Sequence, residues 1–222
     1  MPPLVNLFFV FVTLSTIATG LLLPRYVPGP TARRFGIALC LVGGAFALWT
    51  FAVITKQSAS LYTWMTLGII FLLPALLFLI GAGTTGLPAG GQRLALALGV
   101  ALSIVLVALR WVFPSNPHFS EAGLFYFGEQ PYVKFVTISL LTATIIPATL
   151  ALGREIEMQS GLAAKVFVGA CVTELIGSVL LLSSDEDVLL FPVGWAMGIG
   201  FLLMLLVAAG AFNRAPLAGR SR

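Results

Sequence analysis

The chain has 222 residues, of which 59% are hydrophobic and only 9% carry a charged side chain. Because soluble domains hold about 25% charged residues, this composition excludes a water-soluble globular protein and indicates an integral membrane protein. The formal net charge of +4 does not indicate a nucleic-acid partner, since no basic cluster resembles a nucleic-acid-binding surface. The two cysteines, Cys40 and Cys171, fall within apolar segments, which excludes a disulfide framework and indicates packed thiols.

Seven segments are long and apolar enough to cross the hydrocarbon core of a bilayer, which takes about 20 residues. In chain order they are residues 4–23, 35–55, 61–80, 94–113, 132–152, 161–183 and 188–212. The longest connections are residues 24–34, 81–93 and 114–131, and none can hold a soluble domain. The sequence therefore predicts an all-α fold, in which residues 1–222 form a single polytopic bundle of seven transmembrane helices.

The distribution of basic residues predicts the orientation of this bundle. Residues 1–6 carry no side-chain charge ahead of the first apolar segment, which favours a retained span over a cleaved signal peptide. One side of the bundle holds Arg25, Arg33, Arg34, Arg93, Arg154, Lys165, Arg214, Arg220 and Arg222, and the other holds Lys56, Arg110 and Lys134. Because the basic side of a membrane protein faces the cytoplasm, we expect a multi-pass protein of the cytoplasmic (inner) membrane with its N-terminus outside and its C-terminus in the cytoplasm.

Glu174 stands out because it lies well inside the sixth span, where a carboxylate costs roughly 2.5–3.5 kcal/mol on insertion scales. At 1.5 Å per residue it lies roughly 20 Å from the inner end of that span, in the outer half of the membrane. Arg110 and Lys134 lie near the outer ends of the fourth and fifth spans, and either could reach Glu174 to form a ligand-responsive pair. The favoured alternative is that Glu174 holds helices together and that both cations extend to lipid headgroups.

The longest external connection, residues 114–131, is rich in aromatic side chains and carries Asn116, His118 and Tyr126. If it folds back as a lid over a pocket between helices, these three residues become candidate ligand-binding groups beside Glu174, Arg110 and Lys134. The favoured alternative is an aromatic belt at headgroup depth. His118 is expected to be an exposed loop residue rather than a ligand or a pH sensor.

Several kinds of chemistry have no residues to carry them. Residues 188–212 contain no lysine, so the last span cannot hold a retinal Schiff base. The single histidine, His118, excludes a bis-histidine haem and leaves too few ligands for an intramembrane metalloenzyme. Neither a Gly-x-Ser-x-Gly element nor a phosphate-binding glycine loop is present. We therefore expect no metal, no cofactor and no enzymatic activity.

Short motifs along the chain match one known pattern. They are Ala47-Leu48-Trp49, Leu72-Leu73-Pro74, Asn116-Pro117-His118 followed by Phe119 and Leu124-Phe125, the acidic turn at residues 185–187, and Pro192. Together they resemble the seven-helix sensor region at the N-terminus of many bacterial histidine kinases and diguanylate cyclases, and the similarity covers nearly the whole chain. That family continues into a cytoplasmic catalytic domain, whereas this sequence stops at Arg222. The resemblance therefore implies a stand-alone sensor-like bundle and carries over no catalytic residue.

The leading expectation is a membrane sensor that binds a small or lipophilic ligand in the outer half of the bundle. A helix shift would then signal to a cytoplasmic partner or act through oligomerisation. Two alternatives stay open: a structural subunit of a membrane complex, and a small transporter. The transporter ranks last, because the inner half of the spans is apolar and offers few groups for a polar path.

Overall fold

The computed structural model describes residues 3–55, 58–119, 125–184 and 187–212. Its helices are α1 (Pro3–Tyr26), α2 (Pro30–Thr55), α3 (Ser58–Gly83), α4 (Ala89–Val112), α5 (Pro131–Glu157), α6 (Gly161–Ser183) and α7 (Asp187–Ala208). All seven are long and apolar enough to cross a membrane. The predicted fold class, an all-α bundle of seven membrane-spanning helices, is confirmed.

Most of the helices extend beyond the apolar segments from which they were predicted, whereas α6 coincides with its segment and α7 ends at Ala208 rather than at residue 212. α2 begins at Pro30 and α5 at Pro131. Proline is favoured at the first helical position, because the backbone N–H that it lacks would have no partner within the helix there. α5 continues past its apolar segment to Glu157 and includes the buried Ile156. Hydropathy therefore located the spans correctly and misplaced several helix ends by a few residues.

Six of the helices form a closed ring in the order α1, α2, α3, α5, α6 and α7, with α7 returning to α1. α4 lies outside this ring against α3 and α5, and the buried residues along it are Gly99, Ser103 and Leu106. The main apolar core is formed by side chains of all six ring helices, and its largest fully buried side chain is Phe167, which makes an edge-on ring contact with Phe35. This ring positions the site described below.

The two ends of the bundle differ in how they are held together. We call the end at which α2, α4 and α6 begin the basic side, and the opposite end the hairpin side. On the basic side, Nη1 of Arg34 donates a 2.6 Å hydrogen bond to the carbonyl of Gly81 at the end of α3. The backbone N–H of Ala32 donates to Oε2 of Glu155 on α5 at 3.3 Å. Side chains thus satisfy the free backbone groups of one helix end from a neighbouring helix.

On the hairpin side, the connection between α4 and α5 contains two short strands, β1 (His118–Phe119) and β2 (Phe125–Tyr126). They pair antiparallel, with His118 opposite Tyr126. The backbone N–H of Asn116 donates to the carbonyl of Gly128 at 3.0 Å. Gly128 has a φ of +59°, which a glycine adopts without strain, and a side chain there would collide with the carbonyl of Asn116. Strands of two residues each are too short to show an alternation of apolar and polar side chains, so the sequence predicted only a loop.

Candidate functional site

The helices enclose a cavity of about 240 Å³ that is partly open at the surface of the bundle. Its wall is formed by side chains of α2 to α7 together with Phe127, which follows β2, and it is almost wholly apolar. The polar or charged residues in the wall include Arg110, Thr137, Glu174 and Ser178. An apolar space with a few polar groups is typical of a site for a small lipophilic molecule.

Glu174 lies on α6 with both carboxyl oxygens buried, and neither has a hydrogen-bond partner within the described part of the chain. The backbone N–H of Phe201 on α7 lies near this carboxyl group, but the contact does not have the geometry of a hydrogen bond. Gly200 of α7 provides the space for this group, because a Cβ atom there would collide with Oε1 of Glu174. A buried carboxyl group without a partner is costly, and its position in a membrane-spanning helix makes Glu174 a candidate functional residue.

Arg110 does not pair with Glu174, and that sequence-based hypothesis is wrong. The guanidinium group of Arg110 forms an ion pair with the carboxylate of Glu129, in the connection just before α5. Arg110 and Glu129 both lie at the hairpin-side edge of the bundle, whereas Glu174 is nine residues, about 14 Å, from the end of α6. The charge of Lys134 also acts on Glu129. Both cations that the sequence offered as possible partners of Glu174 therefore act on Glu129, at the hairpin-side edge of the bundle.

Glu129 is a functional candidate that the sequence reasoning missed. Its side chain is buried, and burial raises the pKa of Glu129 above its usual value, while Arg110 and Lys134 oppose that rise without cancelling it. The cost of removing this carboxylate from water is therefore larger than the stabilisation that it receives from the two cations. A signal was present in the sequence: Glu129 lies in the connection between two predicted spans that carry Arg110 and Lys134 near the ends that face this connection.

Aromatic side chains form a continuous row through the cavity wall. The ring of Phe127 contacts Trp49 with centroids 5.2 Å apart, Trp49 contacts Phe46 at 5.6 Å, and Phe46 contacts Phe201 at 5.9 Å. Phe127 therefore turns into the bundle, and the buried Tyr126 beside it does not lie in an aromatic belt either. The belt expected of this connection is wrong for these two residues. The side chains of Phe119 and Phe125 lie outside what the structure describes.

The remaining candidate residues lie outside the cavity wall. His118 is exposed, as expected, and its ring stacks on Tyr126 with centroids 5.3 Å apart. Its Nδ1 atom lies 2.9 Å from the carbonyl oxygen of Asn116, whose own side chain is exposed. Of the six candidate site residues, Glu174 and Arg110 line the cavity, whereas Asn116, His118, Tyr126 and Lys134 belong to the hairpin and the start of α5.

Within the described ranges, no three His, Cys, Asp or Glu side chains lie close enough together to hold a metal ion. Cys171 lines the cavity and contacts Met204 of α7, with the two sulfur atoms 3.7 Å apart. The chain matches no family model and no curated protein sequence. Function is therefore inferred from the cavity and its polar groups.

Proposed function

We propose that this integral membrane protein is a sensor that binds a small lipophilic ligand in the cavity and signals to a cytoplasmic partner. The observation that carries the proposal is an apolar cavity in the middle of the bundle, beside the unpartnered carboxyl group of Glu174. This space is lined by side chains of six helices and has room for a small lipophilic molecule.

α7 is the element best suited to transmit the signal. Met197, Phe201 and Met204 line the cavity from α7, so a ligand changes the packing of this helix directly. At the basic side, the hydroxyl group of Ser160, the N-cap of α6, donates a 3.0 Å hydrogen bond to the carbonyl of Phe212, which links the segment after α7 to the start of α6. The predicted orientation places this end in the cytoplasm. The ligand must bind two helix arrangements with different affinities, since equal affinities would shift nothing.

The resemblance to bacterial sensor regions supports the same proposal, because those bundles also act through the end of their last helix. Transport is less well supported. The hydrogen bonds from Arg34 to Gly81 and from Ala32 to Glu155 close the basic side between α2, α3 and α5. The cavity wall offers few polar groups along which a hydrophilic substrate could move.

The cavity is tested by filling it. Leu141 of α5 lines the cavity, and Leu150 of the same helix is exposed on the outside of the bundle. We expect Leu141→Trp to weaken binding of 1-octanol at least about tenfold, because the indole occupies the volume that the ligand needs. Leu150→Trp, the matched control, should bind as the wild type does. Isothermal titration in lipid nanodiscs, with empty nanodiscs subtracted, measures both. Equal binding by the two variants would contradict the proposal and favour the assembly-subunit alternative.

The helix shift is tested by distance measurements between spin labels. Arg33 at the start of α2 and Ala209 after α7 are both exposed on the basic side and accept labels once the native Cys40 and Cys171 are replaced. Saturating 1-octanol should change the label-to-label distance by about 1–2 Å, the size of helix shifts in known switches. The same labels in the Leu141→Trp background provide the control. If the protein binds 1-octanol and the label-to-label distance does not change, the proposal that α7 transmits the signal is contradicted.

A further inference from the structure

We propose that the ligand is a lipophilic amine, whose protonated nitrogen binds the carboxylate of Glu174 while its hydrocarbon body fills the apolar part of the cavity. This inference rests on the proposed function of the cavity as a ligand site and adds the chemical class of the ligand. It follows from three features of the cavity: the charge that is missing, the aromatic wall and the volume.

The missing charge is a cation at Glu174. Both carboxyl oxygens are buried without a hydrogen-bond partner within the described part of the chain. Arg110, the cation in the cavity wall, is paired with Glu129 and so is not the partner. An ammonium group brings both a positive charge and N–H donors to these oxygens, and charge-assisted hydrogen bonds are about twice as strong as neutral ones. A ligand of this kind supplies the buried carboxyl group with a partner, whereas an apolar ligand leaves it without one.

The aromatic wall favours the same ligand. The edge-to-face row Phe127, Trp49, Phe46 and Phe201 runs from the hairpin to the helix face that meets Glu174. Ring faces attract ammonium groups, most strongly where water is excluded. A carboxylic acid gains nothing from these faces and is repelled by an ionised Glu174. An alcohol brings a hydroxyl donor to the carboxyl group but no positive charge.

The volume sets the size of the part of the ligand that lies inside the cavity. About 240 Å³ corresponds to roughly eight water molecules at about 30 Å³ each, and therefore to a ligand of about ten non-hydrogen atoms. A straight-chain amine of eight carbons has this size. Because the cavity is partly open at the surface of the bundle, a longer chain extends outward rather than being excluded.

The experiment compares three ligands that share one chain and differ in the head group: n-octylamine, 1-octanol and octanoate. Each is titrated calorimetrically into the full-length protein in zwitterionic lipid nanodiscs, and the signal of empty nanodiscs is subtracted. We expect n-octylamine to bind the wild type at least about tenfold more tightly than the other two, which corresponds to one charged hydrogen bond. Glu174→Gln should abolish that preference, Glu174→Asp should retain part of it, and Glu157→Gln, an exposed carboxyl group on α5, should leave it unchanged.

The outcomes separate this inference from the proposed function. If all three ligands bind equally and Glu174→Gln changes nothing, the cavity is a ligand site but the ligand is not an amine. If octanoate binds most tightly, the inference is overturned in favour of recognition by Arg110 and Thr137. If none binds, the proposed function fails as well. Should Glu174→Gln not fold, the order of the three head groups on the wild type still decides the matter.

Discussion

Gly36→Ala is expected to lower the free energy of unfolding by about 2–3 kcal/mol, because it forces two backbones apart. α1 and α2 cross with Gly20 facing Gly36, and a Cβ atom on either glycine would lie 2.6 Å from the carbonyl oxygen of the other. At Gly36 the added carbon would also lie 2.8 Å from the ring of Pro24. Backbone oxygens and a proline ring cannot swing aside as a flexible side chain can. Close approach of small residues is also a main source of helix association in lipid.

The matched control is Gly169→Ala on α6, where an added Cβ atom would meet no other atom within 4 Å. Alanine is the better helix former by about 1 kcal/mol, so this variant should be as stable as the wild type or slightly more stable. Reversible unfolding of both variants in mixed micelles with increasing SDS measures the difference. Equal stabilities for Gly36→Ala and Gly169→Ala would show that the α1–α2 crossing tolerates a side chain.

Arg110→Leu is expected to destabilise the hairpin side by about 3 kcal/mol, because it leaves the buried carboxylate of Glu129 without its main partner. Lys134 still acts on that carboxylate, which places the effect at the lower end of the range for broken buried pairs. The hairpin connection should then open, and Phe127 should leave the cavity wall. Limited proteolysis of the hairpin connection, together with thermal unfolding, reports both effects.

The destabilisation caused by Arg110→Leu should depend on pH, because the charge of Glu129 changes with pH. Burial already raises the pKa of Glu129 in the folded protein, and loss of Arg110 raises the folded-state pKa further. A carboxyl group with a raised folded-state pKa contributes stability below its unfolded pKa, about 4.5, and loses it as the pH rises through the folded value. Arg110→Leu should therefore cost more at about pH 8 than at about pH 5. A loss that is the same at both values would contradict the role of Glu129.

The double variant Arg110→Leu with Glu129→Leu separates the energy of the ion pair from the effects of the two single substitutions. Replacing a buried ion pair by apolar residues is often neutral, whereas removing one partner is not. The double variant should therefore recover most of the stability that Arg110→Leu loses, and the double-mutant cycle should show a coupling of about 2 kcal/mol. Additive losses would mean that the two side chains act independently.

The spans could be predicted from hydropathy alone. In lipid each helix satisfies its own backbone hydrogen bonds, so a local property of 20 residues is sufficient to mark a span. The ends of α2 and α5 were less accurate, because Pro30 and Glu157 belong to helices but not to apolar segments. The ring order, with α4 left outside it, could not be read from the chain, since all seven segments are apolar on most of their faces.

Part of the candidate site could be predicted from the sequence. Glu174 was visible because a carboxylate inside an apolar segment is conspicuous at any position on the helix. The expected pairing of Glu174 with Arg110 was wrong, because Arg110 pairs with Glu129 instead. Which carboxylate lies nearer to Arg110 depends on how the helices pack, and the sequence does not show this. The inward turn of Phe127, just before the tight turn at Gly128, brings its ring to Trp49 of α2, a contact between residues far apart in the chain.

The sequence by itself determined that this is a membrane protein of seven helices with one carboxylate deep in a span, since each of these features is local. Only the tertiary structure decided that Arg110 pairs with Glu129, that an aromatic row lines the interior, and that a cavity remains beside Glu174. The physical reason is that pairing and cavity formation depend on distances between residues far apart in the chain. Those distances are set by how seven similar apolar helices pack against one another.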